Sequence, residues 1–522
     1  MVAPFFVFKQ NENKIKMKQQ LRKQQFKSLL LIVLIFMPLT ASAQVAINET
    51  NFPDENFRNY LLEQWYGEDG VLTEKEINEI TKIDISKPDY LGSLTGIEYF
   101  TELADLTCTN QYRLTKLDVS KNIKLVSLNC ENNQLATLDV SKNTELTYLY
   151  CNFNQLTTID ISNNKKLAYL YCNANQLTTI DVANNAELTN LECEKNRLTT
   201  LDLSSNIEIE WLVCGNNLLT ALNVSGCRKL YNLYCAENLL TEINVSECTA
   251  LDGLNCEDNQ LRELDLSNNQ RLIELYCAYN QLSALDLSKN VCLEKLDCDN
   301  NLLTTLNLSN NVELVELRCV RNLLISLNIS KSKKLKELVC FDNQLPALDI
   351  SNNTQLTSLS CGNNQLTTLD ASNNAQLASL SCTDNQLTTL KISNDAGRMT
   401  LYCSHNIIKE SSMDVFIESL PLNTMSSKCP LYIYDDITGV EGNVCTKSQV
   451  AKAIAKGWAP KYYDGIKWSD YEGSDESTGI TLPTTDDIDE NILIYDLSGQ
   501  RMNNLQSKKG VYIIDGKKVL IK

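Results

Sequence analysis

Histidine is almost missing from these 522 residues, with His405 the single example. Catalysis through a histidine base, and histidine-rich metal sites, are therefore excluded over nearly the whole chain. Glycine (18) and proline (9) are scarce, which excludes collagen-like and linker-dominated chains. Basic residues are few as well, 47 against 65 acidic, for a formal charge of −18. The segment before Gln44 holds 7 of the basic and 1 of the acidic residues, so the remainder stands at 40 against 64, or −24. Phosphate backbones and anionic membranes repel such a surface, and nucleic acid is excluded as a partner. The chain also has no CxxC pair, GxSxG, HExxH or phosphate-binding glycine loop, so neither a metal, another cofactor nor an enzymatic activity is expected. Long apolar runs are lacking too. The longest, Leu29 to Leu39, is too short to cross the roughly 30 Å hydrocarbon core of a bilayer. Lys18, Arg22, Lys23 and Lys27 precede it, and Ala41, Ser42 and Ala43 close it. This is the layout of a signal peptide over residues 1–43, cleaved after Ala43, with Met1 or Met17 as the start. It predicts an exported protein, at the outer cell surface or extracellular, without a stable membrane span.

Cysteine is abundant. Fourteen of the 20 fall at a fixed spacing of 21 residues, from Cys130 and Cys151 through to Cys382 and Cys403. Three residues after each stands an asparagine, from Asn133 to Asn406. One unit reads Leu125, Leu128, Cys130, Asn133, Leu135, Leu138, Val140, Ser141, Asn143, the pattern LxxLxCxxNxLxxLDVSxN. The alternation Leu128, Asn129, Cys130 places two apolar side chains on one face of a short strand and a polar one on the other. A unit with about six apolar positions buries them only by stacking on its neighbours, so the units build one parallel sheet and one continuous core with capped ends. Asn133 and its equivalents turn inward to satisfy backbone groups at the bend, and LDVSxN is too short for a useful helix, leaving an extended or turn-like convex side. Cys108, 22 residues before Cys130, starts an irregular first unit, and Arg398 replaces leucine in the last.

This unit resembles the leucine-rich repeat, with cysteine where that family usually has a third leucine. Within the family it is most similar to certain internalins of Gram-positive bacteria. The implied architecture is an α/β repeat solenoid of about 15 units over residues 103–410, with a strand face, a helical N-terminal cap over 44–102 and a small α+β C-terminal cap over 411–467. Ladder cysteines are predicted to be small buried hydrophobes, one per layer and unable to converge on a metal. Five cysteines lie outside the ladder: Cys227, Cys248, Cys292, Cys429 and Cys445. Cys227 and Cys248 are 21 residues apart at matched positions, and stacked layers would bring their α-carbons to about 5 Å, so a disulfide is expected between them. Cys429 and Cys445 form a weaker candidate pair.

In the N-terminal cap, Phe57, Leu61 and Trp65 stand at helical spacing, and Thr73 with Glu76 makes a capping box that opens a second helix. Asp69, Gly70 and Glu76 match three EF-hand positions, but Trp65 and Gly67 stand where the first carboxylates belong, so calcium is not expected. The internalin resemblance likewise implies a cap that does not depend on calcium. In the C-terminal cap the pattern predicts helices from Met413 to Leu420 and Lys447 to Lys456, with a strand from Leu431 to Tyr434. Residues 468–490 are acidic and polar and read as a linker. Residues 491–522 alternate as two or three strands and resemble, in IYDLSGQR, KKGVYII and KKVLIK, a shortened C-terminal sorting domain of type IX secretion.

The outward strand positions carry Tyr148, Tyr150, Tyr169, Tyr171, Trp211, Tyr234 and Tyr276, with Phe153 and Tyr279 just beyond. So many rings on a solvent face exceed what solubility needs and suit protein or sugar contacts. A mixed-charge stretch from Glu274 to Glu337 follows, then the small residues Ser358, Ser360, Ser379 and Ser381. The expected function is adhesin-like recognition of a host or bacterial surface protein through the aromatic strand face. Carbohydrate binding is the alternative and enzymatic activity the weaker one.

Overall fold

The computed structural model describes residues 44–86, 91–435 and 441–475, together with the backbone of four short strands beyond them. Each repeat contributes a three-residue strand such as Ser127–Asn129, whose central leucine is buried and whose flanking side chains face out. Consecutive strands pair in parallel and in register, Ser127 with Tyr148 and Tyr148 with Tyr169, so equivalent residues of every unit stand in straight rows. The resulting sheet has 19 strands. Its first strand, Lys82–Asp84, already lies inside the N-terminal cap and pairs with Asp105–Thr107. The sheet thus begins one layer before the sequence period does.

Behind the strands all fifteen ladder cysteines, Cys108 included, are buried. Two residues after each, the chain adopts a left-handed turn, with φ between 47° and 61° from Asn110 to His405. This turn aims the following asparagine inward. In a typical layer the Asn196 amide donates to the carbonyls of Cys172 (3.0 Å) and Cys193 (3.1 Å), and its Oδ1 accepts from Leu177 N (3.0 Å). The asparagine ladder is structural, as the pattern predicts. Two residues outside the period extend it. Gln111 takes the asparagine's place in the first unit, donating to Ile85 O (3.1 Å) and accepting from Leu91 N (3.1 Å). Asn443, in the C-terminal cap, donates to Cys403 O (2.8 Å) and accepts from Ile408 N (3.0 Å).

The convex side is extended and turn-like, with short paired segments at Thr200–Asp202 with Ala221–Asn223 and Thr368–Ala371 with Thr389–Ile392. A second asparagine row lines it, in which the Asn185 amide donates to Ile161 O (3.1 Å) and Asn164 O (2.8 Å). Cys227 and Cys248 interrupt this row, and here the structure corrects the sequence expectation: both are free, buried thiols, not a disulfide. Each occupies an asparagine's place and points the same way, Cys227 Sγ towards Leu203 O (3.6 Å) and Cys248 Sγ towards Val224 O (3.7 Å). Translation along the stack makes their side chains parallel, so the sulfurs face carbonyls of the preceding layer and not each other. Cys429 and Cys445 are likewise free and buried.

At the N-terminal end, helix α1 (Glu55–Glu63) is capped by Asp54 and buries Phe57 and Leu61. Trp65 lies past the helix and is 63% exposed, contrary to the spacing argument, because the chain turns away after Gln64. Helix α2 (Glu74–Glu79) has the predicted capping box. Asp54 also ties the cap together, its second oxygen accepting from Gly92 N (2.8 Å) and Ser93 N (3.1 Å). At the other end lie α3 (Glu410–Ser419), a strand Cys429–Asp435 that continues the sheet, α4 (Lys447–Ala455) and a parallel strand Trp458–Tyr463. Trp468–Asp470 pairs antiparallel with that last strand, and Ser474 N donates to Cys445 O (2.9 Å). The C-terminal cap therefore runs to Asp475, into the segment read as linker, because Trp468 and Tyr471 supply apolar contacts. The rest of that linker, and residues 1–43, lie outside the described residues. The backbone from Ile494 to Ile521 forms a four-stranded antiparallel sheet, one strand more than the alternation suggests.

Candidate functional site

Register decides which side chains meet on the strand face. Because Tyr148 pairs with Tyr169 and Tyr150 with Tyr171, their rings stand about one strand spacing apart, with centroids at 5.0 Å and 5.1 Å. Tyr148 and Tyr150 also stack within their own strand at 6.5 Å. Glu192 then interrupts the row. A second group forms around Trp211, whose ring lies 5.4 Å from Tyr234 and 6.0 Å from Tyr231. Tyr231 is a member that the reading of outward strand positions missed, since it precedes the strand. Tyr276 stands apart, its hydroxyl donating to Glu274 (3.4 Å). Mutual stacking leaves most of these rings half-buried. Tyr148 is about one-third exposed, while Phe153 and Tyr279 in the left-handed turns are more than half exposed. The Trp211 indole N–H is shielded from solvent and has no acceptor among the described residues.

Burial raises the phenol pKa of Tyr150, Tyr171, Tyr234 and Tyr276, and nearby carboxylates add to it: Glu131 for Tyr150, Glu192 for Tyr171, Glu274 for Tyr234 and Tyr276. These groups stay neutral donors at physiological pH, as contact residues rather than nucleophiles or bases.

The mixed-charge stretch is partly paired within itself. Lys295 pairs with Glu274 (2.9 Å), and Arg318 with Asp297 (3.1 Å) and Asp299 (2.8 Å). Beyond it the small residues Ser360, Gly362, Ser381 and Thr383, with Phe341, Asp342, Asn363 and Asp384, line an open depression of about 550 Å³. A further aromatic group escaped the sequence reading. Tyr402 stacks on Tyr432 at 4.3 Å, and Trp468 meets Tyr432 at 4.7 Å and Tyr463 at 5.1 Å. Tyr402 ends the strand of the last unit, the place that Tyr150 holds in its own, and was legible from the period. Tyr432, Tyr463 and Trp468 belong to the cap and were not.

Among the described residues no three His, Cys, Asp or Glu side chains converge to hold a metal, and no helix is long and apolar enough to cross a membrane. His405 is spoken for: Asp384 Oδ1 lies 2.7 Å from Nδ1 and Asp435 O 3.1 Å from Nε2.

Residues 144–185 match the model for leucine-rich repeats in two copies. No curated protein matches the chain. Among solved structures, the functional domain of InlJ from Listeria monocytogenes, which includes a cysteine ladder, is 30% identical over 76% of this chain and 84% of its own, with a TM-score of 0.63. The leucine-rich-repeat protein LIC12759 of Leptospira interrogans shares the fold at 24% identity, covering 60% of this chain and 87% of its own, with a TM-score of 0.54. Proteins of this kind are generally binding proteins and not enzymes. The 21-residue period, the buried cysteine ladder and the match to InlJ together establish that the chain belongs to the leucine-rich-repeat family, as a solenoid of the internalin-like, cysteine-ladder type.

Proposed function

We propose that this protein is an exported, surface-displayed or secreted recognition scaffold that binds a protein partner through its aromatic strand face. One observation carries the reading: between Tyr148 and Tyr276 large rings stand on the side of the sheet that faces away from the core, where packing gives them no role. Half-buried, mutually stacked rings are held in place before a partner arrives. Such rings lose little entropy on binding, the property that makes Tyr and Trp frequent interface anchors. The signal-like segment before Gln44, and the family likeness to internalins, support export.

The test compares two rows of side chains. Tyr150→Ala, Tyr171→Ala or Trp211→Ala should change stability by little more than about 0.5 kcal/mol, while a hot spot among them costs about 2 kcal/mol or more of binding. Leu149→Ala or Leu170→Ala removes a fully buried side chain and should cost about 2–5 kcal/mol of stability instead. Undiminished binding of an identified partner by all three ring variants would show that the contact surface lies elsewhere.

A second reading, carbohydrate binding, has its own support in the depression near Ser360. Hydroxyls, Asn363, two carboxylates and Phe341 supply the polar groups and the ring face that sugars need. Hits on a glycan array that vanish with Asp384→Ala and survive Trp211→Ala would favour it.

A further inference from the structure

We propose that the aromatic strand face takes a cationic partner, a protein segment whose lysine and arginine side chains lie over the tyrosine and tryptophan rings and are neutralised by the carboxylates between them. This deepens the strand-face reading and rests on it. The charges on this face are one-sided. From Leu125 to Tyr279 the strand and the outward position on either side of it hold Glu131, Glu192, Glu194, Glu210, Asp252, Glu257 and Glu274 beside or between the rings, and the turn row just beyond them sets Glu237 and Asp258 against the basic Lys195. Lys195 is already paired with Glu194 (3.1 Å), and Glu274 with Lys295. Glu131, Glu192, Glu210 and Asp252 have no ion-pair partner among the described residues. Glu131 accepts from the neutral amides of Asn129 and Asn152, and Glu192 from Asn173 (2.8 Å).

The carboxylates are interleaved with the rings. Glu192 is the register partner of Tyr171, Glu210 immediately precedes Trp211, and Asp252 precedes the strand that pairs with Tyr234. Elsewhere on the solenoid lysines neutralise acids layer by layer, as Lys166 does Glu145 (2.6 Å) and Lys229 does Glu208. On the strand face of the aromatic layers only Glu194 and Glu274 are compensated in this way, and Glu131, Glu192, Glu210 and Asp252 are not. A ring face is attractive to a cation and so is an unpaired carboxylate, and the two together select Lys and Arg over apolar or acidic contacts. An acidic partner would meet repulsion from every unpaired group.

The experiment is calorimetric titration of the full chain with the peptide (Gly-Arg)6 and with (Gly-Glu)6, at low and high salt. The arginine peptide should bind, more weakly at high salt, and the glutamate peptide should not. The variant Glu131→Gln/Glu192→Gln/Glu210→Gln/Asp252→Asn keeps one acceptor oxygen at each position, gives up one of the two amide bonds that Glu131 accepts, and should lose at least tenfold in affinity with the melting temperature lowered only slightly. The convex-side variant Asp139→Asn/Asp160→Asn/Asp181→Asn/Asp202→Asn removes the same charge and should lose less than twofold. Equal losses in the two variants would overturn the proposal, since net charge alone would then account for binding, and so would failure of the arginine peptide to bind. Failure of the underlying reading looks different. If the carboxylate variant weakens binding but Tyr150→Ala/Tyr171→Ala/Trp211→Ala does not, the rings are not the contact surface. If only the ring variant weakens binding, the rings stand and the cationic partner falls.

Discussion

Two asparagines per unit look alike in the sequence and differ in what they do. Asn196 uses both ends of its amide, whereas the Oδ1 of Asn185 is buried without a donor, as in nine equivalents along the second row. Only a donor is needed in that row, which explains why Cys227, Cys248 and Ser332 replace asparagine there; Ser332 Oγ donates to Asn311 O (3.1 Å). Chemical denaturation should therefore rank the two rows. Asn196→Ser leaves a backbone N–H and a carbonyl unpaired and should cost about 3 kcal/mol, while Asn185→Ser should cost about 1 kcal/mol or less. Equal costs would contradict this division of labour. The thiols make a second residue-scale prediction. Burial pushes the ladder cysteines up, Cys193 to about 12, and a protonated, enclosed thiol does not react. Of the 20 cysteines only Cys292 is exposed, so an impermeant thiol reagent should modify one site in the native protein and the rest after unfolding. Peptide mapping should find no Cys227–Cys248 bridge. Strain is local as well: Phe153 holds φ 54° where most units have a polar or small residue. Phe153→Asn should stabilise by about 0.5–1 kcal/mol in the same denaturation assay, because Asn tolerates the left-handed region.

At the scale of elements, the join between the last repeat and the C-terminal cap holds a partly buried cluster of charged groups. Burial works against the His405 imidazolium, but Asp384, Asp435 and Glu441 surround it and its pKa ends above the ordinary 6.5. A histidine whose folded pKa is raised contributes stability that is complete below its unfolded pKa and is lost as pH rises through the folded value. The pKa of Glu441, which accepts from His405 N (2.8 Å) and Asn443 N (2.8 Å), is raised by burial, so its contribution also declines with rising pH, starting from about 4.5. Thermal melts should show stability falling as pH climbs above 6.5, and His405→Gln should flatten that part of the profile. A profile unchanged by the substitution would mean that this ion group does not couple to folding.

For the whole molecule the governing fact is that each layer touches only its neighbours. Deleting residues 354–374 removes one repeat and rejoins Asn353 to Ala375 in the sequence context that Asn374 has now. The shortened chain should unfold cooperatively with only a modest drop in melting temperature. Removing residues 411–475 instead uncovers the last layer, including Leu401 and Cys403, and takes Asn443 from the end of the asparagine ladder. That truncation should lower the melting temperature far more or cause aggregation, which scanning calorimetry distinguishes directly.

What the sequence determined by itself is everything that repeats. Leu128, Cys130 and Asn133 recur at 21 residues, and a chain whose units cannot bury their own apolar positions has one way to satisfy them, so the solenoid, the buried ladder and the outward rows of rings were legible from spacing. Tertiary structure decided what does not repeat. Gln111 and Asn443 complete the ladder from outside the period, and Tyr432 and Trp468 extend the aromatic face from the cap, because chain segments of unrelated spacing fold onto the ends. It also decided direction. Matched positions brought Cys227 and Cys248 into adjacent layers, but translation along a solenoid keeps equivalent side chains parallel, so each thiol meets a backbone carbonyl of the layer before it and not its counterpart.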